Sequence, residues 1–112
     1  MLIIETETKT YAFLSISSVV FSEEDATIRV QSEGGCNVFR VPVEGATKGE
    51  TIVGIFVGKD GRTEIPHIPE GGRPRRGKLS EDEYETKVGA FEERVWDLYR
   101  GLPATIARGF GC

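Results

Sequence analysis

The period of the hydrophobic pattern changes once along the chain, close to residue 80. Before that point, apolar and polar residues alternate over short runs, as in residues 27–31 and 36–43. After it, apolar residues recur every three or four positions. The first pattern is typical of half-buried β-strands, and the second is typical of an amphipathic α-helix. The chain is therefore expected to fold as an α+β domain with its strands first and one helix last.

Residues 1–68 are predicted to form five to six short strands in an antiparallel β meander. The clearest hairpin joins residues 27–31 to residues 36–43, because Gly34 and Gly35 between them tolerate a positive φ. A meander of this length closes on a core only when it curves. We therefore expect a strongly bent sheet or a partial barrel.

Residues 51–57 are the most apolar run of strand length in the chain. They predict a central strand that is buried on both faces, and Gly54 within them indicates a bulge or a close backbone approach. An Asp-Gly turn then leads into residues 62–65, which predicts a second hairpin. Residues 11–21 are rich in β-branched and aromatic side chains and predict one long strand, or two strands with a bend near residue 17.

The helix is predicted over residues 80–100. An S-x-x-E capping box begins at Ser80, where its side chains can satisfy the first backbone N–H groups. Gly101 and Pro103 are expected to end the helix and to leave residues 101–112 as a tail. One apolar stripe is expected to face the sheet, and it consists of Tyr84, Val88, Phe91, Val95 and Leu98.

With 112 residues, the chain is expected to be a single domain, residues 1–112. The predicted order of elements is similar to that of pleckstrin-homology-like domains, with the strands first and a closing helix that carries Trp96. The resemblance is one of predicted topology and rests on no family motif. It implies a fold and no particular function.

Composition also bears on the environment of the chain. No run of 18 apolar residues is present, so no membrane span is expected. The first residues carry acid where a secretory signal would carry positive charge, which favours a cytoplasmic location. Two cysteines, Cys36 and Cys112, are too few for a disulfide framework and are expected to be free thiols.

The inventory of reactive side chains disfavours an enzyme. The candidate metal ligands His67, Cys36 and Cys112 lie far apart in sequence, so neither a metal site nor a cofactor is predicted. His67 is the only histidine of the chain. It lies at the end of a predicted strand, so we expect it to be at the surface or in a turn. Catalysis by His67 with Cys36 or a carboxylate is the weaker alternative, and Cys36 is expected to be half-buried. The acids at 23–25 are interpreted as a solvated turn.

The segment 69–79 is dense in glycine, proline and positive charge and is expected to be an exposed loop. Arg73, Arg75, Arg76 and Lys78 place four positive charges within six residues. Such side chains suit phosphates or carboxylates, including those of nucleic acid or anionic lipid. The alternative is that the loop only balances the acidic start of the helix. A net charge of −4 and a pI near 5.1 disfavour nucleic acid.

The helix presents a second charged surface, since residues 80–97 hold seven acids and two bases. An acidic face beside a basic loop can recognise a protein by charge complementarity, although exposed helix faces are often charged without such a role. Trp96 and Tyr99 are interface anchors if exposed and part of the core if buried, and burial is expected for Trp96.

These observations predict a small non-enzymatic protein-binding module, such as an adaptor, an inhibitor or an assembly subunit. It would act through the basic loop, the acidic helix face or a sheet edge, and pairing of strand edges would give a homo-oligomer. The alternative is a binder of phosphate groups through the basic loop. The candidate binding residues are Arg73, Arg75, Arg76, Lys78, Glu85, Glu92, Trp96 and Tyr99.

Overall fold

The computed structural model describes residues 1–59, 62–66 and 74–111. This part of the chain forms seven strands and one helix, in the predicted order. The strands are β1 (Leu2–Thr6), β2 (Thr10–Phe13), β3 (Ser18–Ser22), β4 (Thr27–Ser32), β5 (Gly35–Arg40), β6 (Glu50–Val57) and β7 (Thr63–Glu64), and the helix is α1 (Glu81–Gly111). The α+β fold is therefore confirmed.

The strands form a mostly antiparallel sheet in the order β2-β1-β6-β5-β4-β3, with β7 paired to β6. Two pairs depart from a simple meander. β1 and β6 are neighbours although they are far apart in sequence, and β5 and β6 run parallel where Phe39 lies opposite Glu50 and Arg40 lies opposite Thr51. After this short contact β6 turns to pair with β1. The last long strand therefore enters the middle of the sheet instead of extending its edge.

The two edge strands of this order, β2 and β3, are joined by only four residues, 14–17. In a flat sheet with strands about 4.8 Å apart, the outer two of six strands would be about 24 Å apart. Five extended Cα steps reach at most about 18 Å. The sheet must therefore bend, and it does: the ring of Phe39 on β5 lies 5.1 Å from that of Tyr11 and 6.2 Å from that of Phe13, both on β2.

Both predicted hairpins are present. In the first, β4 and β5 pair from Thr27 opposite Arg40 to Ser32 opposite Gly35, so the turn contains two residues. In the second, β6 pairs with β7, with Val57 opposite Thr63. The Asp-Gly pair that predicted this turn lies outside the described residues.

Strand β6 is central, but one of its side chains reaches solvent. Glu5 of β1 lies opposite Gly54, whereas Thr6 lies opposite Ile52, so Val53 is an extra residue in a β-bulge. Val53 is 45% exposed, and the expectation of burial on both faces is wrong there. Of the two alternatives predicted at Gly54, the bulge is present beside it, at Val53. The atoms that a Cβ at Gly54 would meet belong to side chains, the nearest being an oxygen of the Glu5 carboxylate at 3.2 Å.

The helix begins as its capping box predicts. The N–H of Glu83 donates to Ser80 Oγ at 3.2 Å, and that hydroxyl donates to the Glu83 carboxylate at 3.0 Å. The predicted end is wrong, because α1 continues through Gly101 and Pro103 to Gly111. Residues 102 and 106 are 2% and 0% exposed, and burying these two side chains outweighs the cost of a glycine and a proline within the helix.

The helix packs on the sheet through residues 91–106. Its buried residues are Phe91, Val95, Tyr99, Leu102 and Ile106. The predicted stripe is therefore displaced toward the C-terminus, and Tyr84, Val88 and Leu98 are only partly buried. None of the first ten residues of the helix is buried. This part of α1 therefore does not contribute to the core. The described helix is not apolar enough over any 18 residues to cross a membrane.

Substitution of Gly49 tests the parallel contact of β5 and β6, because this residue lies against the backbone of β5. It has a φ of 81°, and a Cβ there would lie 2.5 Å from the carbonyl oxygen of Val38. Gly45 in the same loop has a φ of 86° and open space around its Cβ position. Gly45→Ala should cost about 1 kcal/mol of backbone strain, and Gly49→Ala about 1–3 kcal/mol more because of the added clash. Urea unfolding of both variants measures the difference, and equal losses would contradict this account of the junction.

A groove along the helix face

Three cavities lie next to one another along α1. The first, of about 600 Å³, lies between the β3–β4 turn, the loop that precedes β6, and Trp96. The second, of about 470 Å³, lies between the start of the helix, Glu44 and Arg76. The third, of about 220 Å³, is lined by Glu93, Trp96, Asp97 and Arg100. Glu44 lines the first two and Trp96 lines the first and third, so together they form one surface, here called the Trp96 groove.

Acidic side chains outnumber basic ones in this groove. The residues of the described chain that line it include nine carboxylates and three cations. The carboxylates belong to Glu23, Glu24, Asp25, Glu44, Glu81, Glu85, Glu92, Glu93 and Asp97, and the cations belong to Lys48, Arg76 and Arg100. Among the described residues, more than half of the acidic ones line this groove, whereas only three of the basic ones do.

The β3–β4 turn is one wall of the groove, and it is fixed to the neighbouring strands. Ala26 has a φ of 55°, which is uncommon for a residue other than glycine, and its carbonyl accepts a hydrogen bond from Val41 N at 2.9 Å. The Asp25 carboxylate accepts from Thr27 Oγ1 at 2.7 Å and from the Arg29 guanidinium at 2.8 Å. With the Ser22 hydroxyl, these donors hold the pKa of Asp25 well below its ordinary value.

Ion pairs and a hydrogen bond tie the helix to the other two walls. Arg100 donates to Glu23 of the β3–β4 turn at 2.7 Å and to Asp97 of its own helix at 2.7 Å. On the opposite side, the backbone N–H of Glu44 donates to the Glu92 carboxylate at 3.3 Å. The contact of Arg100 with Glu23 and that of Glu44 with Glu92 each join the helix to a different loop or turn. The groove therefore exists in the isolated chain and does not need a ligand to bring its walls together.

The two aromatic candidates of the helix have different positions. Trp96 is partly buried, packs against Phe21 with ring centroids 5.9 Å apart, and still lines two cavities. Tyr99 is fully buried and cannot contact a partner, which corrects its candidacy as a binding residue. The reason is the course of the helix: its buried stripe passes through Tyr99 and leaves Trp96 at the margin. Burial raises the pKa of the Tyr99 hydroxyl well above its ordinary value.

The remaining predicted residues are divided between the groove and solvent. Glu85 and Glu92 line the groove, as does Arg76 of the basic loop. Arg75 and Lys78 are exposed outside it. Arg73, His67 and Cys112 lie outside the described residues. The structure thus brings the acidic helix face and one end of the basic loop together at one cavity.

Cys36 is exposed on β5, so the expectation that it is half-buried is wrong. The physical reason is its register. Cys36 lies opposite Gln31, on the face of the hairpin that points away from Val30 and the core.

Sequence reasoning missed half of the groove. Glu23, Glu24 and Asp25 were interpreted as a solvated turn, and Glu44 carried no signal. These residues belong to a turn and a loop that meet the helix only through long-range packing. In the described chain, no three side chains of the His, Cys, Asp and Glu types are placed to hold a metal ion. The arrangement is suited to binding cationic groups beside an aromatic ring.

Tyr99 provides a test of its place in the core. Its hydroxyl is buried and has no hydrogen-bond partner in the structure. Tyr99→Phe removes this unsatisfied group and should raise the free energy of unfolding by about 1 kcal/mol. Tyr11→Phe is the matched control and should lower stability, because the Tyr11 hydroxyl donates to the Glu50 carboxylate. Chemical denaturation measures both, and a loss of stability in Tyr99→Phe would show that its hydroxyl has a partner.

Asp25 makes the stability of the groove wall depend on pH. Because folding lowers its pKa, the ionised carboxylate stabilises the fold above its ordinary pKa of 3.8, and this stabilisation is lost as the pH falls below that value. Asp25→Asn should therefore be less stable than the parent chain at neutral pH, and the difference should shrink in acid. Unfolding curves between about pH 2 and 7 measure this gap. Glu33→Gln, at an exposed hairpin turn, is the control, and a constant gap for Asp25→Asn would contradict the assignment.

Comparison of the chain with protein-family models, with curated protein sequences and with solved structures finds no match.

Proposed function

We propose that this protein is a non-enzymatic protein-binding module that docks its partner in the Trp96 groove. One observation carries the proposal: a single partly buried tryptophan lines two cavities, one of which also contains the β3–β4 turn and the loop that precedes β6. Tryptophan is among the side chains most enriched at the energetic centres of protein interfaces. A large aromatic ring between concave surfaces offers a partner both contact area and shape.

The groove walls support the same function. The turn at 23–26 and the loop that precedes β6 are both attached to the helix, through Arg100 and through Glu92. A surface that is already formed loses little conformational entropy when a partner binds. The groove therefore fits a docking site better than a loop that must become ordered.

The other two surfaces expected from the sequence have less support. Arg75 and Lys78 are exposed, and no aromatic contact involves the described part of the basic loop. Edge strands β2 and β3 have four and five residues, and short edges offer few backbone groups to an added strand. We keep phosphate binding by the basic loop as the alternative. A cytoplasmic location, which the acidic start of the sequence favours, is part of this proposal.

Site-specific photocrosslinking in cells of the source organism tests the proposal. A photoreactive amino acid replaces Glu93, an exposed groove residue, and in a control variant replaces Glu64, an exposed residue of β7. We expect a discrete protein adduct from position 93 and none of that mass from position 64.

Two results would contradict the proposal. The same adducts from both positions, or none from position 93, would remove the groove as the docking site. In a third variant the photoreactive amino acid replaces Arg75, which is exposed on the basic loop. A nuclease-sensitive adduct from this position, with none from position 93, would favour the phosphate-binding alternative.

A further inference from the structure

We infer that the partner presents an extended basic segment to the Trp96 groove and that one of its lysine or arginine side chains stacks on the Trp96 ring. This inference rests on the proposed docking function and adds the chemistry of the partner. It follows from the charge of the groove, from the position of Trp96 and from the length of the helix face.

Several carboxylates of the groove have no counterion among the described residues. Arg100 is engaged by Glu23 and Asp97, and Lys48 lies 3.5 Å from Asp25. Among the described residues, Glu24, Glu85 and Glu93 have no ion pair, and they come from two separate walls. A partner that covers the groove must desolvate these carboxylates, and only a cationic partner replaces their hydration with ion pairs. Fixed carboxylates also repel phosphate groups, which disfavours nucleic acid and anionic lipid at this surface.

Trp96 defines where a single cation would sit. Its ring packs on Phe21 and borders two cavities that also contain carboxylates: Glu23, Glu24 and Glu44 in one, Glu93 and Asp97 in the other. Tryptophan is the best aromatic partner for a cation placed over its face. A lysine or arginine at this point meets an aromatic surface and negative charge together.

The dimensions of the groove favour an extended segment. Its lining residues on α1 run from Glu81 to Arg100. At a rise of 1.5 Å per residue, this face is about 28 Å long. An extended chain covers that length with about eight or nine residues. Carboxylates occur along the whole face, so we expect several basic residues in the segment and not only one.

The tryptophan also supplies the measurement, because Trp96 is the only one in the chain and its emission reports on the groove alone. The probe is a ten-residue oligolysine, with a ten-residue oligoglutamate as the control peptide. We expect a saturable change in Trp96 emission with oligolysine only. The affinity should fall at least tenfold between about 0.01 M and 0.15 M salt, because the carboxylates are screened.

Two triple variants with the same net charge locate the binding. Glu24, Glu85 and Glu93 line the groove, whereas Glu7, Glu33 and Glu64 are exposed elsewhere. Changing the groove set to Gln should weaken oligolysine binding at least tenfold, and changing the other set should weaken it less than threefold. Trp96→Leu, followed by calorimetry, should weaken binding two- to fivefold, since leucine keeps an apolar contact with Phe21 but offers no π-face.

The outcomes separate this inference from the docking function. Equal weakening in the two triple variants, or no saturable change in the parent chain, would overturn the basic-segment inference. A protein adduct from position 93 without oligolysine binding would leave the docking site in place and assign it a partner of different chemistry. Unchanged binding in Trp96→Leu would remove the stacked cation.

Discussion

The short connection between β2 and β3 is the constraint on which the rest of the structure depends. These strands are the two edges of the order, and four residues join them, so the sheet bends until its inner faces meet. Phe39 then packs against Tyr11 and Phe13 inside the bend. A sheet that curves this strongly offers the helix only a limited apolar surface, which the helix fills with residues 91–106. The first ten residues of α1 have no buried side chain, and the groove begins beside them and continues along the margin of the packed part as far as Arg100.

The sequence predicted what depends on nearby residues and failed where distant contacts decide. The capping box set the start of the helix because its hydrogen bonds join residues only three apart. The end could not be predicted from Gly101 and Pro103, because Leu102 and Ile106 are held by the sheet. Likewise, the β4–β5 hairpin followed from its glycines. The parallel contact at Gly49 did not, since nothing local indicates that β6 turns back beside β5.

The same division applies to the candidate site. Glu85, Glu92 and Trp96 were found because they share one helix, where spacing alone shows which residues are neighbours. Glu23, Glu24 and Glu44 were missed because they reach the groove only after the sheet has bent. Tyr99 and Trp96 are three residues apart and looked equivalent in the sequence. A stripe displaced toward the C-terminus placed one in the core and the other at the surface.

The charge of the groove opposes the stability of the fold. Nine carboxylates along one surface repel one another, and the ion pairs of Arg100 and Asp25 offset only part of that repulsion. The packing of the helix on the sheet does not depend on these carboxylates. It rests on the contact between Trp96 and Phe21 and on the buried stripe of the helix. The basic partner proposed above would account for this charge. Long-range attraction would increase the rate at which such a partner arrives, and the Trp96 ring would then fix its position.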